Sequence, residues 1–543
     1  MRWEILGEGE IISTLLKNRG IKTDKDKEEF FNPTDPVKTP LKLFGINELQ
    51  VKKAIARIKK AKKEGEHIIV YGDYDADGID GTAILWETIN DVGAFVLPHI
   101  PERFSEGYGL NVESIKKLKE KDPKLGLIIT VDHGIVAGKK IDVARELGID
   151  IIITDHHQKG KVAPKAFAVV YTDKISGSGV AWVFAREIFR SFKQPMSKIE
   201  SRLELAAIGT IADQLPLIGL NRSIVKYGLV QLSKTSRPGL SELFKNAGPD
   251  KENIGTYEVG FIIAPRINSM GRLEHAINSL RLLCTRNRAK AFEIAKHIGE
   301  TNSERQKIVE EVVLSARNKV GQDKVIVLAD EHYHEGVIGL AAARLVEEFY
   351  RPAIVLSKKG EVSKASARSV SGFNIIEVIR QLEDLYIEGG GHPMAAGFSI
   401  ETKKIGEFTK RINKIAKGLL TEEILSRRLK IDLTVKFEVL DYKLLDLIKE
   451  FEPTGLGNPT PTFSTRGVEV VDVKTVGREA KHLKLKLKQD EQTFDAIFFG
   501  GGEMYSKLTP DSKVDIAYQL EDNSWNGYKN LQLKIKDLRV LLN

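Results

Sequence analysis

Asp73, Asp75 and Asp77 alternate along the stretch YGDYDADGIDGTA, residues 71–83. Carboxylates this close repel one another unless a cation neutralises them. Hard oxygen donors at this density suit Mg²⁺ or Mn²⁺. The plainer alternative is a solvated acidic turn that caps the next helix. Further on, Asp132 opens Asp132-His133-Gly134, Asp155 opens Asp155-His156-His157, and Asp213 ends a run of small residues. Asp and His together, without Cys, suit Mn²⁺ or Mg²⁺ better than structural zinc. Asp73, Asp75, Asp77, Asp132, His156, His157 and Asp213 offer enough ligands for two ions. Ions about 3.5–4 Å apart clamp the attacking and leaving oxygens of an in-line phosphoryl displacement. A bridging carboxylate would hold such a pair, and Asp132 is the candidate. The alternative for His156 and His157 is a loop that caps a helix.

Scattered ligands need elements that bring them together. The apolar run 67–70 reads as a strand, and a helical pattern starts near Gly81, which puts the acidic stretch in a strand-to-helix loop. Residues 94–100, 125–131 and 149–154 read as further strands, the last two continuous apolar runs as in strands buried on both faces. Three of these strands deliver acids or histidines at their carboxyl ends. Open α/β sheets bind ligands there, so a shared site is expected. Residues 51–61 read as a helix ended by Gly65, and 203–212 as a small-residue helix ending at Asp213.

The chain has 543 residues, too many for one core. Its 42% hydrophobic and 29% charged content is that of a globular protein. Net charge is +8, a lean toward polyanions too small to prove nucleic-acid binding. The single cysteine, Cys284, excludes an intrachain disulfide or thiolate cluster and reads as a small buried residue. The opening MRWEILGEGEIIS lacks a basic then apolar leader, and no apolar run reaches transmembrane length, so a cytoplasmic protein without a membrane partner is expected. Residues 289–320 are highly charged and free of Pro, a connector helix whose charges are a solvated face. A second α/β unit follows. From about 428, six segments alternate with period two around one helix at 442–451, the pattern of a small barrel of the OB type. Phe498, Phe499, Tyr518, Trp525 and Tyr528 could stack bases there, although alternation buries about half of such residues. The lysines of HLKLKLK and LQLKIK suit backbone phosphates or plain edge protection.

GDYDADG, VDHG, TDHH and GTIAD resemble, in order, the motifs of the DHH phosphoesterase superfamily. ASARS and GGGHPMAAGFS are similar to the companion DHHA1 domain. RFSEGYGLN, APRINSMGRL, HEGVIGLAAARL and PTGLGNPTPTF look like the RecJ single-stranded-DNA exonucleases. The resemblance runs from about residue 50 to 465, and the barrel fits that family's OB-like domain. Tyr71 and Tyr333 depart from it, standing where many relatives carry His and Trp.

The resemblance implies an α/β protein: a DHH domain with a parallel sheet, a DHHA1 domain joined by a long helix, and a C-terminal OB-like β-barrel. Its divisions are expected at 1–50 (helical lead-in), 51–225 (DHH), 226–318 (helical connector), 319–405 (DHHA1), 406–427 (linker helix) and 428–543 (barrel). Implied metal ligands are Asp75, Asp77, Asp132, His156 and Asp213, with Asp73 and His157 close by and their direct contact unassigned. Arg103, Ser366, Arg368 and one of Arg266 and Arg272 are implied to hold the terminal phosphate. Gly390, within Gly389–Gly391, permits close backbone approach, and His392 is implied to donate to a phosphate. For each arginine the ordinary alternative is a surface salt bridge.

The implied activity is two-metal (Mn²⁺ or Mg²⁺) hydrolysis of single-stranded DNA from its 5′ end to 5′-mononucleotides, in repair and recombination. A single-strand-binding protein and a helicase are the implied partners. Rival readings are a phosphodiesterase for short oligoribonucleotides or cyclic dinucleotides, a non-catalytic replication or repair scaffold, and an inorganic pyrophosphatase. The barrel counts against the first and third, and the intact acids and histidines against the second.

Overall fold

A computed structural model describes residues 1–250, 253–525 and 528–541, without the side chains of Ser524, Trp525 and Tyr528. The chain divides into two compact units. One comprises 37–213 and 227–427, and the other 1–36, 214–226 and 428–543.

The larger unit holds two sheets. The first has five parallel strands in the order Val96–His99, His67–Tyr71, Leu125–Val131, Asp150–Asp155, Ala168–Tyr171. Leu125–Val131 is buried along its whole length, as a strand covered on both faces must be. The chain runs outward in one direction from His67–Tyr71 to Val96–His99, then reverses to Leu125–Val131. At such a switch point the crossovers leave on opposite sides and open a crevice at the strand ends. The acidic stretch and Asp132 emerge there. Helix Ala76–Asp91 begins five residues before the Gly81 start expected from sequence, because Asp75 caps it by accepting from the Gly78 amide at 3.0 Å. Asp77 is therefore in the first helical turn rather than in a loop. Gly65, at φ 69°, ends helix Glu48–Glu64 as expected. Helix Leu203–Ala212 ends at Asp213, also as expected.

Helix Arg288–Arg317 leads to the second sheet, ordered Tyr386–His392, Ala395–Glu401, Val362–Arg368, Ala353–Lys359, Ile326–Asp330. Only its last pair is parallel. The triple glycine with His392 forms a solvent-facing edge strand.

In the smaller unit, Phe463–Val476, His482–Gln489, Gln492–Phe498, Tyr528–Val540 and Lys513–Trp525 close into a barrel, the last pairing back to the first. Phe437, Phe463, Leu485, Ile516 and Tyr518 fill it. The period-two reading fits: Leu483, Leu485 and Leu487 point in, and Lys486 and Lys488 point out. Tyr518 is fully buried with its hydroxyl 2.9 Å from that of Thr465, so it is core and cannot stack a base. Phe499 is exposed, with the Lys534 ammonium 5.7 Å from its ring centre. The side chains of Trp525 and Tyr528 lie outside those described. The stretch expected as a helical lead-in opens on a strand before its helices Ile11–Asn18 and Asp24–Phe31. Arg2–Ile5 is a strand paired with Arg428–Ile431, and buried Arg19 reaches Asp432, Asn458 and the Pro459 carbonyl. Among the described residues no helix is long and apolar enough to cross a membrane.

Candidate active site

The strand ends at the switch point gather the acids. A Cβ at Gly72 would lie 1.9 Å from the Thr82 hydroxyl, so only glycine lets the chain turn so tightly off the strand. Asp77 is clasped by the N-terminus of helix Gly177–Ser191. It accepts from the Gly177 amide at 2.7 Å, the Ser178 amide at 3.1 Å and the Ser178 hydroxyl at 2.5 Å. Helix N-termini favour anions in this way. Asp132 takes φ 66°, a left-handed conformation that is strained for a residue with a side chain. A Cβ at Gly177 would lie 2.4 Å from its Oδ1. His156 Nε2 stands 3.1 Å from Asp132, 3.6 Å from Asp213 and 3.9 Å from Asp77.

Sequence reasoning passed over Asp155, which organises the two histidines. It accepts from the amides of Ile135, His156 and His157 and from His157 Nδ1 at 2.9 Å. These bonds, opposed by burial, leave its carboxyl below the ordinary range. His157 Nε2 then faces the Tyr108 hydroxyl at 3.2 Å, and that hydroxyl donates to the Asp132 carbonyl at 3.1 Å. The first letter of the DHH triplet was the available signal for Asp155. Nothing local in the sequence pointed to Ser178.

Burial and mutual repulsion raise the carboxyls of Asp73 and Asp132 well above the ordinary range, and Asp75 is also raised. Asp213 is pushed up to about 8 by burial and by Asp77 and Asp75. Burial lowers His156 against the pull of the acids, which favours the neutral imidazole that can ligate a metal. Asp132 Oδ1 is sealed from solvent without a hydrogen-bond donor. An acidic cluster this repulsive, with an orphaned buried oxygen and a neutral imidazole, fits divalent cations. Ligand atoms of Asp73, Asp75 and Asp132, of Asp77, His156 and Asp213, and of Asp132, His156 and His157 lie within 4.8 Å of one another in each group.

A second cluster has the opposite sign. The Arg103 guanidinium lies 4.8 Å from the Tyr74 ring centre. Arg368 donates to the Ser366 hydroxyl at 3.3 Å. Arg272 donates to the Gly336 carbonyl at 3.3 Å; burial, then repulsion from Arg103, Arg305 and Arg368, lowers it to about 9. Arg266 donates to the Ile262 carbonyl at 2.8 Å, and Arg305 is a charged neighbour of both middle arginines, whereas Arg103 and Arg368 act on Arg272. Arg272 is thus the middle arginine that shares a pocket with Arg103 and Arg368. A Cβ at Gly339 would meet Ser366 Oγ at 2.9 Å and Arg368 Nη2 at 3.3 Å, so the uncapped start of helix Ile338–Phe349 faces the same pocket. Sequence reading passed over these glycines. His392 and Gly390 lie on the exposed edge strand, and neither joins the carboxylate groupings or the arginine contacts among the described residues.

The chain matches the family models for the DHH family N-terminal domain over residues 67–210, the DHHA1 domain over 322–418 and the RecJ OB domain over 431–537. It is 36% identical to the single-stranded-DNA-specific exonuclease RecJ of Bacillus subtilis, over 98% of this chain and 68% of that protein. The corresponding Thermus thermophilus protein is 33% identical, over 93% and 72%. Among solved structures, RecJ from Thermus thermophilus in complex with Mn²⁺ superposes with a TM-score of 0.85 and 30% identity, covering 99% of this chain and 79% of that one. A second structure of the Thermus protein is a complex with Mg²⁺.

Proposed function

The chain belongs to the RecJ family of single-stranded-DNA-specific exonucleases, and from that premise we propose that it degrades single-stranded DNA from the 5′ end to 5′-mononucleotides with Mn²⁺ or Mg²⁺. The observation that carries this reading is the adjacency of the two clusters. Tyr74, between Asp73 and Asp75, has the Arg103 guanidinium 4.8 Å from its ring centre, and a Cβ at Gly271, next to Arg272, would lie 2.6 Å from the Tyr74 carbonyl oxygen. A carboxylate site for cations therefore borders an arginine site for phosphate, the pairing that a phosphodiester between two nucleotides requires.

Asp75, Asp77, Asp132, His156 and Asp213 would hold two ions, with Asp73 close by; Asp132 belongs to two of the three groups of neighbouring ligand atoms. When bound, the ions supply Lewis acidity to the scissile phosphate and to its nucleophile. The Gly177 and Ser178 amides fix Asp77, and Asp155 fixes the ring of His157, so little of the carboxylate geometry has to be rearranged on binding. Arg103, Arg272, Arg368 and Ser366 bind the terminal phosphate and set the first internucleotide bond against the acidic cluster. A 5′ terminal phosphate in that pocket gives the 5′-to-3′ polarity. His392 and Gly390 stand in solvent, where a bound strand can meet them. A helicase that frees single strands and a protein that coats them are the partners this substrate calls for.

The small-substrate phosphodiesterase reading accounts for no barrel, and the scaffold reading leaves the buried carboxylate cluster without a purpose. The test is Mn²⁺-dependent digestion of a single strand labelled at one end, with and without a 5′-phosphate. Mononucleotides released first from the 5′ end are expected, faster from the phosphorylated strand. Release from the 3′ end would overturn the polarity.

A further inference from the structure

Helix Ala76–Asp91 carries the acidic cluster at its start and a second polar site at its finish. Glu87 and Asp91 lie there, beside a cavity of about 500 Å³. Glu87 is ten residues beyond Asp77, roughly 15 Å along a helix. The floor is a closed set of ion pairs. Arg237 grips Glu87 with two nitrogens, at 2.6 and 2.8 Å, and donates to Glu204 at 2.6 Å. Arg202 donates to Glu87 at 3.0 Å and to Asp91 at 2.5 Å, and Lys198 stands 3.3 Å from Asp91. Every carboxylate lining the cavity is thereby engaged.

The rim is different. Lys234, Arg286 and Arg288 also line the cavity, and none has an acidic partner among the described residues. Six basic side chains thus face three carboxylates, and the excess charge lies on the rim. Ser201 and Ser236 add hydroxyls. Two helices begin at this wall. Pro238–Ala247 starts without a side-chain cap, and Arg288–Arg317 starts at Arg288 itself. Their positive ends add to the same field.

We propose that this cavity binds a small phosphate-bearing anion of up to mononucleotide size. Cations freed of acids, in a concavity within the usual volume range of small-ligand sites, are what a dianion needs. Rigid pairing of Arg202 and Arg237 below holds the walls, and the rim supplies the unspent charge. A free phosphate and a nucleoside monophosphate share this chemistry, and the assay separates them.

The test uses the full chain in EDTA carrying Arg368→Ala, which weakens the competing arginine pocket. Inorganic phosphate, 5′-dAMP and a single-stranded oligonucleotide without terminal phosphate are titrated calorimetrically. Binding of phosphate or dAMP is expected, with affinity falling about tenfold or more when Arg286→Glu and Arg288→Glu are added. Lys234→Glu alone, at an exposed position, is expected to weaken it in the same direction. Equal affinities identify inorganic phosphate as sufficient, and tighter dAMP identifies the nucleotide; either supports the site. The proposal is overturned if neither ligand binds, if charge reversal leaves affinity unchanged, or if only the oligonucleotide responds to it. Because the readout is binding without metal, its failure leaves the nuclease reading untouched.

Discussion

Asp132 concentrates the tension of the site. It is buried, strained at φ 66°, without a hydrogen bond at Oδ1 and surrounded by like charge. Asp132→Asn keeps the shape and removes the charge. Hydrolysis is expected to fall at least on the order of 10²–10³-fold. The metal-free protein should meanwhile melt at a higher temperature, because a buried repulsion is gone, and the rise in melting temperature on adding Mn²⁺ should shrink. A variant that loses activity and also melts lower without metal would contradict this account. The raised carboxyls carry a pH dependence of definite sign. A group with its folded pKa raised binds its proton more tightly folded than unfolded. The metal-free protein should therefore lose stability as pH rises from the ordinary carboxylate range, near 4, through about 8, where Asp213 titrates. Melting curves in EDTA at pH 6 and 8.5 read this loss, and saturating Mn²⁺ should remove most of it. The two middle arginines separate by substrate end. Arg272→Ala should reduce the preference for a 5′-phosphorylated strand about tenfold or more, the scale of a charge-assisted phosphate contact, whereas Arg266→Ala should leave the preference in place. Paired rate measurements on phosphorylated and unphosphorylated strands decide it.

Elements, not residues, set how closely these groups converge. Helix Gly177–Ser191 presents two amides to Asp77 while its first glycine lies against Asp132. Gly177→Ala would place a methyl 2.4 Å from Asp132 Oδ1 and 2.7 Å from its Cβ, so the carboxylate would have to shift. Activity is expected to drop about 10²-fold, with a smaller change in melting temperature than a core cavity would cause. Near-normal activity would mean that the helix start is not positioning the carboxylates. Much of this layer was legible in the sequence. The runs at 125–131 and 149–154 declare buried strands because apolar residues dominate them, with only Thr130, Asp150 and Thr154 polar, and Asp132 and Asp155 stand where those runs stop. The start of helix Ala76–Asp91 was misjudged because Asp75, Asp77 and the glycines read as loop residues, while Asp75 is the cap. The clasp on Asp77 was illegible for a different reason. Gly177 and Ser178 are a hundred residues away, and small residues before a helix mark only a helix start. Arg272 could be told from Arg266 only once their neighbours were visible, since both sit in one ten-residue motif.

At the scale of the whole chain, period-two alternation revealed the barrel but not what completes it. Arg2–Ile5 pairs with Arg428–Ile431, more than 400 positions away, and four residues give no pattern that names a partner. Arg222 lies in the short segment 214–226 and donates to the carbonyls of Phe30, Glu450, Phe451, Glu452 and Pro453. A buried guanidinium satisfied only by carbonyls from two other segments ties the three pieces into one unit. The barrel therefore cannot be removed as a simple appendage. A chain ended after Arg427 would leave Arg222 with the Phe30 carbonyl alone and Arg19 without Asp432, Asn458 and Pro459. It would also uncover Leu15, Leu16 and Phe30, which pack in the same core as the barrel strands. Unpaired buried cations and exposed apolar surface both favour aggregation. Residues 1–427 are thus expected to elute from size exclusion largely as aggregate, whereas residues 37–427 lack the uncovered Leu15, Leu16 and Phe30 and leave Arg222 to water rather than half-buried, so they should yield more monomer. Equal monomer from both would show that the first 36 residues fold without the barrel and that their pairing with it is dispensable.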